Sequence, residues 1–203
     1  MPRTTDKRVR LVDAAKKLIH EQGFNLTTLA DIAQEAHVPL GNVYYYFKTK
    51  EAIAEAVLAN RARELHEALQ VFSSAASVKE RLLAYLQSEI DNVEQTVKSG
   101  CPIGSLCQEL AKQGGPLATG ATQLLNDTLL WIEKQFQAMD MGDHSRTLAR
   151  QFIATIQGHA LLTNTFKDPK ILEQLKPALS AWIDSLAHTK KVTPSVEKME
   201  EYA

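Results

Sequence analysis

Glycine and proline together hold sixteen of the 203 positions, and seven of these fall between Gly100 and Gly120. Outside that segment the chain runs for long stretches on alanine, leucine, glutamate, lysine and glutamine, the residues that lose least on entering a helix. No run alternates apolar and polar residues at period two, the pattern of a half-buried strand. The chain is therefore expected to be all-α, with about nine helices.

The leading helices are short and well punctuated. Leu11, Ala14, Ala15, Leu18 and Ile19 place an apolar stripe on a helix over 6–22, and Gly23 supplies its left-handed stop, with Phe24 folding back. Thr28, with Asp31 three residues on, forms a capping box ahead of Leu29, Ile32, Ala33 and Ala36. His37 and Val38 break this second helix, and Pro39 suits the first turn of a third that ends at Tyr46. A two-turn helix, a tight break and a short aromatic helix have the spacing of a DNA-reading helix-turn-helix. Charge points the same way: residues 1–50 carry eight Lys/Arg against five Asp/Glu, whereas residues 51–203 carry fifteen against nineteen. A basic head on an acidic body suits an anionic partner at the head.

The residues also carry a resemblance. The pattern Thr28-x-x-x-Ile32-Ala33-x-x-Ala36-x-Val38-x-x-Gly41-x-Val43-Tyr44-x-Tyr46-Phe47-x-x-Lys50-Glu51 resembles the signature of the TetR/AcrR regulators. His37 stands where that family usually has glycine at the turn. The resemblance implies a dimeric bacterial transcriptional regulator, most simply a repressor, with a three-helix head over 1–48. A helical effector-binding and dimerisation body over 49–190 and a tail over 191–203 would follow. On this reading Pro39, Leu40, Asn42 and Tyr45 lie at the leading end of the third helix and face base edges. Tyr44, Tyr46 and Lys50 correspond to phosphate-gripping positions, Lys48 joins them, and the capped helix end at Thr28 offers backbone N–H groups to another phosphate. Arg3, Lys7, Arg8 and Arg10 could add contacts or simply be solvated. The expected partner is double-stranded DNA with a palindromic operator, read by a homodimer.

In the body, Gln151 to Phe166 contains no Asp, Glu, Lys or Arg, so more than one face of that helix seeks cover. The resemblance implies that Gly158 and Leu161 on it, with the stripe Leu175, Leu179, Trp182, Ile183 and Leu186 on the last helix, form the dimer interface, and Pro177 is expected to kink that last helix. The breaker-rich segments 99–108 and 113–126 are expected to wall an adaptable cavity for a small apolar or aromatic effector. Its candidate lining is Cys101, Ile103, Leu106, Leu110, Trp131, Phe152, Ile156, His159 and Thr163. Cys101, between Gly100 and Pro102, is expected at a helix start where the dipole favours a thiolate, and the resemblance implies a sensor of electrophiles or oxidants. Cys107 lies about 9 Å further along such a helix, too far for a simple disulfide.

Other function classes find no support. The sequence has no phosphate-binding loop, dinucleotide fingerprint, nucleophile elbow or zinc-protease helix, so no enzyme and no cofactor is expected. Six scattered histidines and two cysteines offer no metal spacing. No stretch approaches a membrane span and Met1–Asp6 has no signal-peptide core, so a cytoplasmic protein is the expectation.

Overall fold

The computed structural model describes residues 4–192, with side chains over 6–186. Arg3 and most of the expected tail lie outside these residues. The nine expected helices are all present, and two of them are divided. The elements are α1 (Thr4–Gln22), α2 (Leu29–Glu35), α3 (Leu40–Tyr46), α4 (Lys50–Ser73), α5 (Val78–Asp91), α6 (Val93–Ser99), α7 (Gly104–Gln113), α8 (Gly115–Ala138), α9 (Ser145–Phe166), α10 (Lys170–Glu173) and α11 (Leu175–Val192).

The first division separates α5 from α6 at Asn92, whose side-chain amide donates to the Ser88 carbonyl at 2.7 Å and so competes with the helical backbone. The second falls at Gln174, where a kink was expected at Pro177. Proline lacks an N–H and its ring clashes with the carbonyl four residues back, so the helix restarts at Leu175 and holds Pro177 in its first turn, where no donor is needed. Most breakers between Gly100 and Gly120 likewise sit at or near helix ends, and Gly120 lies within α8. Gly100 (φ 78) caps α6, and Gly114 and Gly115 (φ 73 and 76) form the turn from α7 to α8. The segments expected to be adaptable walls are therefore mostly regular helix.

Two apolar clusters hold the chain together. The upper one joins α1, α2 and α3 through Leu11, Ala15, Ile32, Val43 and Phe47, and continues through Ile53 and Val57 into Leu106, Leu110 and Leu124 of α7 and α8. The head thus shares its core with the body. The lower cluster packs α5, α8, α9, α10 and α11 around Ile132, Phe136, Phe152 and Ile156. A run of aromatic contacts crosses it. Phe152 touches Tyr85 and Phe136 and stacks on Trp182 at 6.4 Å, with ring planes 22° apart.

This packing corrects one expectation. Leu175, Leu179 and Ile183 were assigned to a dimer interface, but they are buried inside this single chain's lower core, and Trp182 lies against Phe136 and Phe152. Their stripe turns inward because α11 packs on α5 and α9. Leu186 is partly buried against the same core. The exposed apolar surface is on α9 instead: Leu161 (61% exposed), Leu162 and Phe166 (66%) face outward. Gly158 sits on this helix with nothing within 4 Å of where a Cβ would be.

Head and body are also tied by polar contacts at the α1–α2 turn. The Glu109 carboxylate of α7 accepts from the Phe24 and Asn25 N–H groups, each at 2.8 Å. From the other side, Lys50 Nζ donates to the Phe24 and Asn25 carbonyls at 3.0 and 3.1 Å and lies over the Phe24 ring. Two charged side chains on different helices therefore hold both the donors and the acceptors of one turn.

Candidate nucleic-acid interface and effector cavity

The capping box forms as the spacing predicts. Thr28 Oγ1 accepts from the Asp31 N–H at 3.1 Å, and the Asp31 carboxylate accepts from the Thr28 N–H at 2.9 Å. The Thr28 hydroxyl, which also donates to the Asp31 carboxylate at 2.7 Å, and then the Thr28 N–H hold this carboxyl below its ordinary range. An anion thus already occupies part of the α2 N-terminus proposed for a phosphate. At the other end His37 takes the left-handed conformation, with φ 50, that the glycine of the related pattern would adopt freely. Arg10 stabilises this turn by donating to the Ala36 and His37 carbonyls, the latter at 2.9 Å. The sequence reading missed this role and left Arg10 among basic residues of the arm.

Pro39 caps α3 rather than opening it, with extended ψ (136°). Val43 is fully buried and Phe47 nearly so, which directs the rest of the helix outward. Pro39, Leu40 (42% exposed), Gly41, Tyr44 and Tyr45 (73%) face solvent, and Asn42 is half-buried beside them. Tyr46 is partly buried against the upper core and meets Tyr45 edge-on at 5.0 Å. Lys48 is exposed, and Lys50 is engaged with the α1–α2 turn as described. The outward face of α3 therefore presents one amide, two phenols and apolar surface on a rigid base, with cations at its flank. That combination can read a groove edge while gripping backbone phosphates.

The nine residues assigned to one effector cavity do not come together. Leu106 and Leu110 belong to the upper core, and Phe152 and Ile156 to the lower. Thr163 is buried and its hydroxyl has no hydrogen-bond partner, Ile103 is half-buried at the start of α7, and His159 Nδ1 lies 2.8 Å from the Thr155 carbonyl. Trp131 and Cys101 line cavities, and the two cavities are separate. Trp131 borders a space of about 500 Å³ between α4 and α8, shared with Leu65, His66, Leu69, Leu130 and Lys134. On α4 the lining follows three- and four-residue steps from Ala62 to Ser73, a stripe of mixed polarity that no periodicity argument picks out as a site.

Cys101 borders a smaller space of about 250 Å³ with Gln157 and Asn164. Its sulfur receives the Gly104 N–H and the Gln157 amide, each at 3.4 Å. The expectation of a favoured thiolate is corrected here. Burial, followed by the Glu89 charge, raises the Cys101 pKa, and the helix-start N–H only partly offsets this. Cys107 is also a free, buried thiol; it donates to the Ala121 carbonyl at 2.9 Å, and burial raises its pKa to about 11.

Glu89 carries the largest carboxyl shift. Burial raises its pKa to about 7, against a hydrogen bond with Tyr85 that lowers it. Between its ordinary value of 4.5 and about 7, the folded chain holds a proton that the unfolded chain has lost. Stability therefore falls as pH rises through this window and levels off above it. The swing is at most about 3 kcal/mol, from roughly 1.4 kcal/mol per pH unit. Chemical denaturation of wild type at pH 5 and pH 8 should reveal it, and Glu89→Gln should flatten the difference; an unchanged slope in the variant would assign the effect elsewhere.

Among the described residues no group of His, Cys, Asp and Glu is arranged to hold a metal ion, and no helix is long and apolar enough to cross a membrane.

Comparison with known proteins agrees with this geometry. Residues 11–57 match the family profile described as bacterial regulatory proteins, tetR family, and residues 78–179 match the tetracyclin repressor-like C-terminal domain. The HTH-type transcriptional repressor NemR of Escherichia coli K12 is 27% identical over 206 residues, covering 94% of this chain and 96% of that protein. Among solved structures, a TetR transcriptional regulator from Legionella pneumophila superposes with TM-score 0.77 at 21% identity, covering 92% of this chain and 98% of that one. The reduced form of E. coli NemR superposes with TM-score 0.73 at 20% identity, covering 85% and 94%.

Proposed function

The chain belongs to the tetR family of bacterial regulatory proteins, helix-turn-helix transcriptional regulators rather than enzymes, and from that premise we propose that it is a homodimeric repressor of a palindromic operator, released by a small apolar, aromatic or electrophilic molecule. The observation that carries this reading is the outward face of α3. Leu40, Tyr44 and Tyr45 are exposed on a two-turn helix whose Val43 is fully buried. Three adjacent exposed side chains of this kind on one short helix suit a face that a partner covers. The exposed α9 residues Leu161, Leu162 and Phe166 support pairing of two copies, which a palindrome requires. Residues 1–48 then act as the reading head and 49–190 as the responding body.

Selection of bound sequences from a random duplex pool tests the proposal. It should return two inverted half-sites about one helical turn, or a multiple of it, apart. Affinity for the selected duplex should fall about a thousandfold or more between roughly 50 and 200 mM salt, because neutralised phosphates release counterions. A pool without sequence enrichment, or a flat salt response, would refute it.

Electrophilic release at Cys101 is the second reading of the effector, favoured by the two N–H donors on its sulfur and by its place on a cavity wall. Its raised pKa makes the reaction slow at neutral pH and faster as pH rises. A mild electrophile such as N-ethylmaleimide should free wild type from the selected duplex but leave Cys101→Ser bound. Equal release of both proteins discards this role.

A further inference from the structure

The base edges of a duplex ask for different chemistry. Guanine offers two acceptors to an arginine or lysine, and cytosine offers an amino group to a carboxylate. Adenine pairs a donor with an acceptor, as a carboxamide does, and thymine carries a methyl group that suits apolar contact. From Pro39 to Phe47 the chain has no Arg, Lys, His, Asp or Glu. The solvent side of α3 instead holds Leu40, Asn42, Tyr44 and Tyr45. Resting on the regulator reading above, we propose that α3 reads adenine and thymine and no guanine. Each half-site then carries a short A·T core, in which the Asn42 carboxamide holds an adenine and the Leu40 and Tyr45 side chains cover thymine methyl groups.

The flanking cations are placed elsewhere. Arg10 donates to the Ala36 and His37 carbonyls, Arg8 lies over the Phe47 ring, and Lys50 bonds the α1–α2 turn. Lys48 follows Phe47, the C-cap of α3, and so stands at the trailing end of the helix. His37 lines a groove with Arg10 and Lys17 against α1.

Three features hold the reading side chains ready. Among the described residues nothing hydrogen-bonds the Asn42 carboxamide, so its donor and acceptor stay open to a base edge. Tyr45 is propped edge-on by Tyr46 at 5.0 Å, and Tyr46 is itself partly buried against the upper core, which steadies the exposed ring. Gly41 has nothing within 4 Å of where a Cβ would be, so the backbone between Leu40 and Asn42 can approach the bases closely. Leu40 and Tyr45 are five residues apart, about 7.5 Å along the axis at ~1.5 Å per residue, or two base steps of about 3.4 Å. The core is therefore about three base pairs long. A guanine placed against Leu40 would give up the water on its two acceptors and gain no donor in return.

Base analogues test the assignment without disturbing the fold. In the selected duplex, the core is the run of positions that lose enrichment when selection is repeated with Leu40→Ala, Asn42→Ala or Tyr45→Ala. Uracil in place of the core thymines of both half-sites removes only methyl groups and should weaken wild-type binding about tenfold. Leu40→Ala and Tyr45→Ala should each be indifferent to uracil at one of these positions. 7-Deazaadenine at the core adenine removes one acceptor and should weaken wild type about tenfold or more, but not Asn42→Ala. A core with an obligatory guanine, full affinity for the uracil duplex, or 7-deazaadenine sensitivity that survives Asn42→Ala would overturn the assignment. In each of those cases, salt-dependent binding to inverted half-sites would leave the regulator reading intact. A pool with no enriched sequence would remove the regulator reading and this assignment with it.

Discussion

A protein carrying Asn42→Ala and Tyr45→Ala together is expected to lose about a thousandfold in affinity for its selected duplex while melting within a few degrees of wild type. Tyr45 is 73% exposed and meets Tyr46 edge-on, Asn42 is half-buried beside it, and neither belongs to an apolar cluster. A well-placed base contact is worth about 1–3 kcal/mol, and under the proposed reading of two half-sites by a dimer each substitution acts twice. Two lost contacts per protomer therefore exceed about 4 kcal/mol, or roughly a thousandfold in Kd. Electrophoretic mobility shift across protein concentration measures the loss, and thermal melting measures the control. Unchanged affinity would show that α3 does not read bases through these side chains. Val43→Ala is the contrasting case, because its side chain is fully buried and its loss should appear first in stability.

The second large effect lies in the body. Phe152 is fully buried where α5, α8, α9 and α11 meet, touching Tyr85, Phe136 and Trp182. Phe152→Ala should cost about 3–5 kcal/mol, from the lost burial and from a cavity that four packed helices cannot close. For a chain of this size that lowers Tm by roughly 8–15 °C. Phe152→Leu should cost visibly less, because it returns most of the volume while losing the aromatic contacts. Equal melting of the two variants would mean that ring geometry, and not volume, determines the packing there. A loss below about 1 kcal/mol in Phe152→Ala would contradict the central place given to this residue.

These two sites differ in how much of them the chain reveals when read linearly. The conformation and outward face of α3 were legible, because each of their determinants is local: the Thr28–Asp31 cap, the left-handed turn at His37, and the burial of Val43 and Phe47 that sends Leu40, Tyr44 and Tyr45 outward. Its supports from a distance were not legible. Arg10 reaches the carbonyls of a turn 26 and 27 residues away, and Glu109 reaches amides 84 and 85 residues away. Nothing in the spacing of a lone arginine or glutamate signals such a contact.

In the body, periodicity placed the helices but not their neighbours. The stripe Leu175, Leu179 and Ile183 is correct as a stripe, yet it covers the chain's own core, while the outward apolar face belongs to Leu161, Leu162 and Phe166. The expected effector residues divided for the same reason: Phe152 and Ile156 are filled core, and the larger space opened between α4 and α8 beside Trp131.

Sequence alone determined the helical class, the caps and stops, and the form of the helix-turn-helix, since these rest on torsional preference and on contacts a few residues apart. The tertiary structure alone decided which stripe met which, where a void remained, and which thiol or carboxyl was pushed away from its ordinary proton affinity. Burial of apolar surface has no direction and does not specify a partner; only the packed arrangement of all the helices does.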